Sequence, residues 1–204
     1  MDLMGLLQGY LTPDVINQMS QETGASPEQT EVAAQGALST LLSGLAKNAQ
    51  GGGAEGILAA LDRDHDGSIL NDVMGLISGS GQANSSQGAL NGAGILSHVL
   101  GNQAGGAAEM ISKATGVNEN GVLGMMVKLA PLVMGVLGQQ KQQQGFDAGG
   151  LAGLLGGSVQ QQSNNPLMQM ATRFLDKDGD GSMVDDIMGM VGSQLMGGLF
   201  GGKK

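Results

Sequence analysis

The sequence predicts an all-α protein built from two tandem helical repeats. Apolar residues recur at helical spacing over two long stretches, which predicts long amphipathic or buried helices. In addition, the segment from Leu61 to Ile77 occurs almost a second time from Leu175 to Val191, with its Asp, Gly, Ser and Met residues in register. Each repeat is therefore predicted to end in a helix, an Asp-rich loop and a second helix, like an EF-hand. With 204 residues, the chain can bury a sizeable core.

The first repeat begins with two helical signals. Thr12 followed by Pro13 predicts a restart within an amphipathic N-terminal stretch from about Gly5 to Gln18. The run from Ser26 to Gln29 combines a capping Ser, Pro at the first helical position and Gln at the third, which predicts the start of a long helix. Three glycines predict the end of that helix near Gln50.

The second half repeats these landmarks with a longer spacing. Thr115 lies 92 residues after Thr23, whereas Asp176 lies 114 residues after Asp62. The second repeat therefore contains an insertion of about 22 residues. We place the repeats at residues 1–80 and 89–202, joined by a Gly/Ser-rich linker at 81–88, with the insertion in the Gln/Gly-rich stretch 139–165. The glycines at 149–153 are interpreted as linker or tight packing.

The apolar stretch from Gly121 to Gly138 is close to the length of a membrane span. Lys128 lies near its middle, where a lysine costs about 2.5–3.5 kcal/mol on insertion scales, and Pro131 follows. We therefore predict a buried core helix kinked at Pro131. Membrane association is kept as a minor alternative.

The two Asp-rich segments, residues 62–72 and 176–186, hold nine of the 18 acidic residues in a chain of net charge −9. Calcium is bound by six to eight oxygen atoms, and EF-hand loops supply them from Asp at positions 1, 3 and 5, Gly at 6 and a backbone carbonyl at 7. Both segments meet these requirements, so we predict two calcium sites. The candidate ligands are Asp62, Asp64, Asp66, Ser68 and Asp72 in the first segment, and Asp176, Asp178, Asp180, Ser182 and Asp186 in the second.

Both segments depart from the EF-hand in the same way. Position 12, where a bidentate Glu is expected, is Val73 or Ile187. The nearest carboxylates are Asp72 and Asp186, one residue earlier, so a non-standard loop with a structural cation is expected. The same pattern also forms metal-free turns, in which Asp side chains accept hydrogen bonds from backbone amides. Two copies, and no basic neighbours able to neutralise their carboxylates, favour a cation, with Ca²⁺ and Mg²⁺ both open.

Several classes of function are disfavoured. Nine Lys and Arg are scattered without a basic stripe, which argues against a nucleic-acid partner. No nucleophile elbow, phosphate loop or His–carboxylate motif is present, so the chain is predicted not to be an enzyme, and His98 is interpreted as a packed or capping residue. The first residues lack a secretory signal, so a cytoplasmic location is expected. The alternative function is a metal-independent self-assembly or scaffolding module, for which a homo-oligomer is one form. The identity of a protein partner is left open.

Four stretches together resemble a bacterial family called domain of unknown function 937, related to the YidB-like proteins. These stretches are residues 94–101, 129–135, 149–156 and 174–186, and the resemblance covers nearly the whole chain. The resemblance implies a bacterial, mostly helical protein. It implies no catalytic or binding residues.

Overall fold

The computed structural model describes residues 3–64, 70–77, 90–161 and 166–176, and every regular element in these ranges is helical. The all-α fold class is thus confirmed. The predicted linker at 81–88 and all residues after Asp176 lie outside the described ranges. The α-helices, in chain order, are α1 (Leu3–Gly9), α2 (Pro13–Thr23), α3 (Pro27–Asn48), α4 (Ala54–Asp64), α5 (Leu70–Ile77), α6 (Gly92–Leu100), α7 (Gln103–Thr115), α8 (Glu119–Gln144), α9 (Ala148–Gln161) and α10 (Pro166–Asp176).

Two inner helices, α3 and α8, form the centre of the fold and pack against each other. Every residue from Gly36 to Ala46 of α3 is buried, as is every residue from Leu129 to Gly138 of α8. A helix that is apolar on all sides must be enclosed by other elements. Accordingly α1, α2, α6, α7, α9 and α10 pack on α3, while α1, α2, α4, α5, α6 and α7 pack on α8.

The start of α3 confirms the predicted capping box. The Ser26 hydroxyl accepts a hydrogen bond from the Gln29 amide at 3.2 Å, and the Gln29 side chain accepts one from the Ser26 amide at 3.1 Å. Upstream, the predicted restart at Pro13 is also confirmed, since the Thr12 hydroxyl accepts from the Val15 amide at 3.4 Å and α2 begins with Pro13.

The connection from α2 to α3 shares several hydrogen bonds with the connection from α7 to α8. Gly24 and Gly116 both adopt a left-handed conformation, with φ of +71° and +79°. In each preceding turn a threonine hydroxyl donates to a carbonyl four residues earlier, at 2.9 Å for Thr23 and 2.8 Å for Thr115. A capping side chain then opens the inner helix, with Asn118 Oδ1 accepting from the Gly121 amide at 2.7 Å as Ser26 does in α3.

The two connections lie side by side. Asn118 Nδ2 donates to the Thr23 carbonyl at 2.9 Å. A Cβ added to Gly116 would lie 2.8 Å from Gln29 Nε2, and one added to Gly121 would lie 2.8 Å from Thr23 Cγ2. Close contact at this point therefore depends on glycine on the α7–α8 side.

Between α3 and α4 the chain makes a π-helical turn, Ala49–Gly53, in which Gly52 has a φ of +96°. This conformation is strained for residues with a side chain, so glycine permits the change of direction. The predicted end of the long helix near Gln50 is thereby confirmed.

Helix α8 is long and apolar enough to cross a membrane by length and composition, and it is the one such helix in the described ranges. However, 72% of its most apolar window is buried inside the fold. Lys128 is held by an ion pair with Glu22 of α2, and α8 continues through Pro131. The predicted burial of this helix is confirmed, whereas the kink predicted at Pro131 stays a prediction.

Part of the predicted insertion forms helix α9, so the glycines at 149–153 lie in a helix instead of a linker. Asp147 Oδ1 accepts from the Gly150 amide at 2.9 Å and so caps the start of α9. Leu151, Leu155 and Ser158 form the buried side of the helix, which packs on α3 and α4. Their spacing of four and three residues is the signal that predicts a helix here.

Candidate functional site

The first Asp-rich segment begins in the last turns of α4. Asp62 lies on this helix with its side chain 67% exposed. Asp64 is the last residue of α4, and Asp72 lies in the first turn of α5, where it is partly exposed. Asp66 and Ser68 fall in residues 65–69, outside the described ranges. The described flanks are thus two helices separated by five residues.

A basic residue that is distant in sequence contacts this segment. Lys141, near the end of α8, forms an ion pair with Asp62. The sequence indicated no basic neighbour for these carboxylates, and for Asp62 this is wrong, because α4 packs on α8 and brings residues 79 positions apart together. The Lys141 side chain is 19% exposed, so most of it packs against the protein, whereas its partner Asp62 is largely in contact with solvent.

The helical conformation of α4 bears on cation binding. An EF-hand loop directs positions 1 and 3 toward one ion. Residues 62 and 64 both belong to α4, and positions two apart on an α-helix do not share a face. A cation held by both residues therefore requires the last turn of α4 to open.

Less of the second segment is described. Asp176 is the last residue of α10, whose buried residues Met168 and Ala171 face the core. The remaining candidate ligands of this segment, Asp178, Asp180, Ser182 and Asp186, lie outside the described residues. Among the residues that the structure does describe, no three His, Asp or Glu side chains come together as a metal-binding group.

An open cleft of about 360 Å³ lies between α4 and α6. Its buried residues are Leu45 of α3, Ile57 of α4 and Met134 of α8. Polar side chains also line it, among them His98, which is exposed near the end of α6. The His98 carbonyl accepts a hydrogen bond from Asn48 Nδ2 at 3.3 Å.

No carboxylate belongs to the described lining of the cleft. A general acid–base pair of His98 with Asp or Glu, which is the arrangement that would support an enzyme, is not formed by these residues. No local sequence pattern predicts the cleft, because its lining comes from four helices.

Comparison with known families gives one decisive result. A family model described as "Bacterial protein of unknown function (DUF937)" matches residues 5–140, which is 136 of the 204 residues. The chain belongs to this family. In this DUF937 protein the match covers most of α1, all of α2 to α7, most of α8 and the first Asp-rich segment, whereas the stretches around residues 149–156 and 174–186 lie beyond it. No curated protein and no solved structure matches the chain.

Proposed function

We propose that this protein is non-enzymatic, binds Ca²⁺ through its two Asp-rich segments, and uses the ion in a structural or interaction role in the cytoplasm. The observation that supports the proposal best is the recurrence of Asp at alternating positions followed by Gly-Ser in both segments. Oxygen ligands at these positions suit a hard cation. In the first segment, the described flanks supply Asp62 and Asp64 at one helix end and Asp72 at the start of the next.

Three features lower the affinity that we expect for Ca²⁺. The last turn of α4 opens so that residues 62 and 64 reach one ion, and Asp62 exchanges Lys141 for the cation. Position 12 also lacks the bidentate Glu of EF-hands. All three features lower affinity, so we expect dissociation constants near the weak end of EF-hand-like sites, about 10⁻⁴ to 10⁻³ M.

We further propose that two duplicated units, each ending in a helix–Asp-rich loop–helix hairpin, make up the chain. The matched connections before α3 and α8 support the duplication, because Gly24 and Gly116 occupy equivalent places. The helix contacts support it too. The inner helix of each unit packs on the outer helices of the other unit: α3 packs on α6 and α7, and α8 packs on α1 and α2. Contacts of this reciprocal kind are those of a two-fold interface. In this scheme α10 corresponds to α4, and α9 is the inserted helix.

Thermal unfolding tests the calcium proposal directly. A ligand that binds only the folded state raises its stability by RT ln(1 + [L]/Kd), which is about 1.4 kcal/mol when the ion is present at ten times its Kd. We expect a higher melting temperature in 10 mM CaCl₂ than in excess chelator, and bound calcium by elemental analysis. Equal melting temperatures together with no bound metal would contradict the proposal.

The alternative is a metal-independent self-assembly or scaffolding module. The ion pair between Lys141 and Asp62 favours it, since the ammonium group already balances one carboxylate of the first segment. Light scattering with and without Ca²⁺ separates the two functions: an oligomer that forms equally in chelator supports assembly, and a change in mass on adding Ca²⁺ supports the calcium proposal. Membrane association is a minor alternative, because the apolar window of α8 is largely buried.

A further inference from the structure

The cleft between α4 and α6 has the dimensions of a small-molecule site. Its volume of about 360 Å³ falls within the roughly 300–1,000 Å³ of most ligand sites. The deepest residues are apolar, with Leu45, Ile57 and Met134 each at most 6% exposed. A ligand that fills the cleft therefore needs an apolar portion to contact this floor.

Small residues keep the cleft open on the α4 side. Gly56 lines it, and a Cβ added at this position would meet no atom within 4 Å. Ala59 and Ala60 follow on the same wall. The space is therefore not closed by side chains of α4, and a larger residue at position 56 can enter it without a clash at its Cβ.

The polar groups around the cleft are basic or amide groups. Arg63 and His98 line it together with Asn48 and Asn91, whereas no Asp or Glu does among the described residues. This composition differs from the chain as a whole, which has 18 acidic and nine basic residues. The described lining thus carries no negative charge that would repel an anion.

Several N–H donors remain at the rim of the cleft, although one N–H of Asn48 already donates to the His98 carbonyl at 3.3 Å. Asn91 Oδ1 already accepts from the Gly94 amide at 3.0 Å as the cap of α6, which leaves the Asn91 NH₂ group for a ligand. Arg63 already takes part in an interaction, and its guanidinium group carries five N–H donors in all. Groups of this kind select a ligand head with several acceptor oxygens, and a carboxylate has two.

We propose that this cleft binds a small amphipathic carboxylate, with the apolar tail on its floor and the carboxylate among the donors at its rim. The residues named for this site all lie in the described ranges, and the proposal does not depend on calcium binding. It gives the protein a second ligand class that its Asp-rich segments cannot recognise.

Decanoate is the probe, titrated below its micelle-forming concentration into the full chain in the presence of chelator. Methyl-labelled methionine reports the site, because Met134 lies at the floor of the cleft. We expect saturable binding with a shift of the Met134 methyl signal. Decyltrimethylammonium, which has the same tail and the opposite charge, is expected to bind at least tenfold more weakly. Absence of saturable binding, shifts that leave Met134 unchanged, or equal binding of the cation would overturn the proposal.

Gly56→Leu tests the location, with Gly124→Leu as its matched control. Both glycines are exposed on helices, and an added Cβ meets nothing within 4 Å at either, but Gly56 lines the cleft and Gly124 does not. We expect Gly56→Leu to weaken decanoate binding at least tenfold and Gly124→Leu to leave it unchanged, with both variants retaining the helical circular dichroism of the parent. Equal affinity in all three folded proteins would overturn the proposal. If Gly56→Leu does not fold, the location is tested by the Met134 methyl signal of the unmodified protein, which has to shift on decanoate binding.

Discussion

Lys141 on α8 forms an ion pair with Asp62, the first aspartate of the first Asp-rich segment. Because Asp62 is 67% exposed, solvent screens the pair, and its contribution to folding is expected to be below about 1 kcal/mol. The ion pair is expected to lower the affinity of the first segment for a cation, because the cation has to compete with the ammonium group for the Asp62 carboxylate. In the proposed duplication, the position of the first unit that is equivalent to Lys141 is the buried Ala49, which carries no charge.

Lys141→Gln is therefore expected to raise the Ca²⁺ affinity of the first segment by up to about fivefold, the factor that corresponds to about 1 kcal/mol for an exposed ion pair. The measurement is calorimetric titration in an Asp178→Ala background, where only the first segment can bind. Lys128→Gln is the control, because Lys128 lies on the same helix and pairs with Glu22 instead. A gain in Lys128→Gln as large as in Lys141→Gln would argue against direct competition.

The pair between Lys128 and Glu22 predicts a component of acid sensitivity. Partial burial raises the pKa of Glu22, but hydrogen bonds from Lys128 and Gln18 outweigh it and hold the pKa below its ordinary value of 4.5. Between the folded and unfolded pKa values the unfolded chain binds more protons, so stability falls as the pH falls through this window. The contribution is fully present at neutral pH.

Glu22→Gln should therefore be less stable than the parent at pH 7, by up to about 1 kcal/mol, and the difference should shrink as the pH falls below about 4.5. Urea unfolding between pH 7 and pH 3 measures this difference. Lys128→Gln should reduce the same pH-dependent component. A difference that stays constant over the whole range would show that the ion pair is not its cause.

Close packing of α6 against α8 predicts a strong effect at Gly92. A Cβ there would lie 1.7 Å from the Val127 carbonyl oxygen, which is backbone and cannot move aside easily. Gly92→Ala is expected to cost about 1–3 kcal/mol, as overpacking does. Gly124→Ala, where the added Cβ meets nothing within 4 Å, should stabilise α8 by about 0.5–1 kcal/mol. Denaturant unfolding of both variants checks the sign, and a neutral Gly92→Ala would contradict the packing described.

The two capping residues Asn118 and Ser26 are expected to stabilise the fold by different amounts. Asn118 caps α8 and also donates to the Thr23 carbonyl, whereas Ser26 caps α3 through a local capping box. Loss of a cap costs about 1 kcal/mol, and loss of the second hydrogen bond adds about 0.5–1.5 kcal/mol. Asn118→Ala should therefore be more destabilising than Ser26→Ala in urea unfolding. Equal costs would mean that the bond between the two connections contributes nothing.

Signals contained within a few residues predicted their elements well. The Ser26 box and the Thr12–Pro13 start both involve hydrogen bonds between residues three positions apart, so the local sequence is sufficient to predict them. Helix α9 was not predicted. The high glycine content at 149–157 favoured a linker or tight packing, although the spacing of Leu151 and Leu155 is that of a helix.

Features that join distant residues were not predictable in this way. The pair of Lys141 with Asp62 spans 79 positions, and the cleft combines residues from α3, α4, α6 and α8. Both depend on how helices that are separate in sequence pack on α8. The EF-hand comparison likewise could not show that residues 62 and 64 lie within α4, because Asp-x-Asp predicts a loop by its chemistry while the preceding apolar residues extend the helix.

Calorimetric titration of Ca²⁺ into the metal-free full chain tests the central claim most directly. We predict two binding events, one removed by Asp64→Ala, the other by Asp178→Ala, and both removed in the double variant. Absence of binding at millimolar Ca²⁺, or binding that persists in the folded double variant, would contradict the claim that the two Asp-rich segments are the calcium sites.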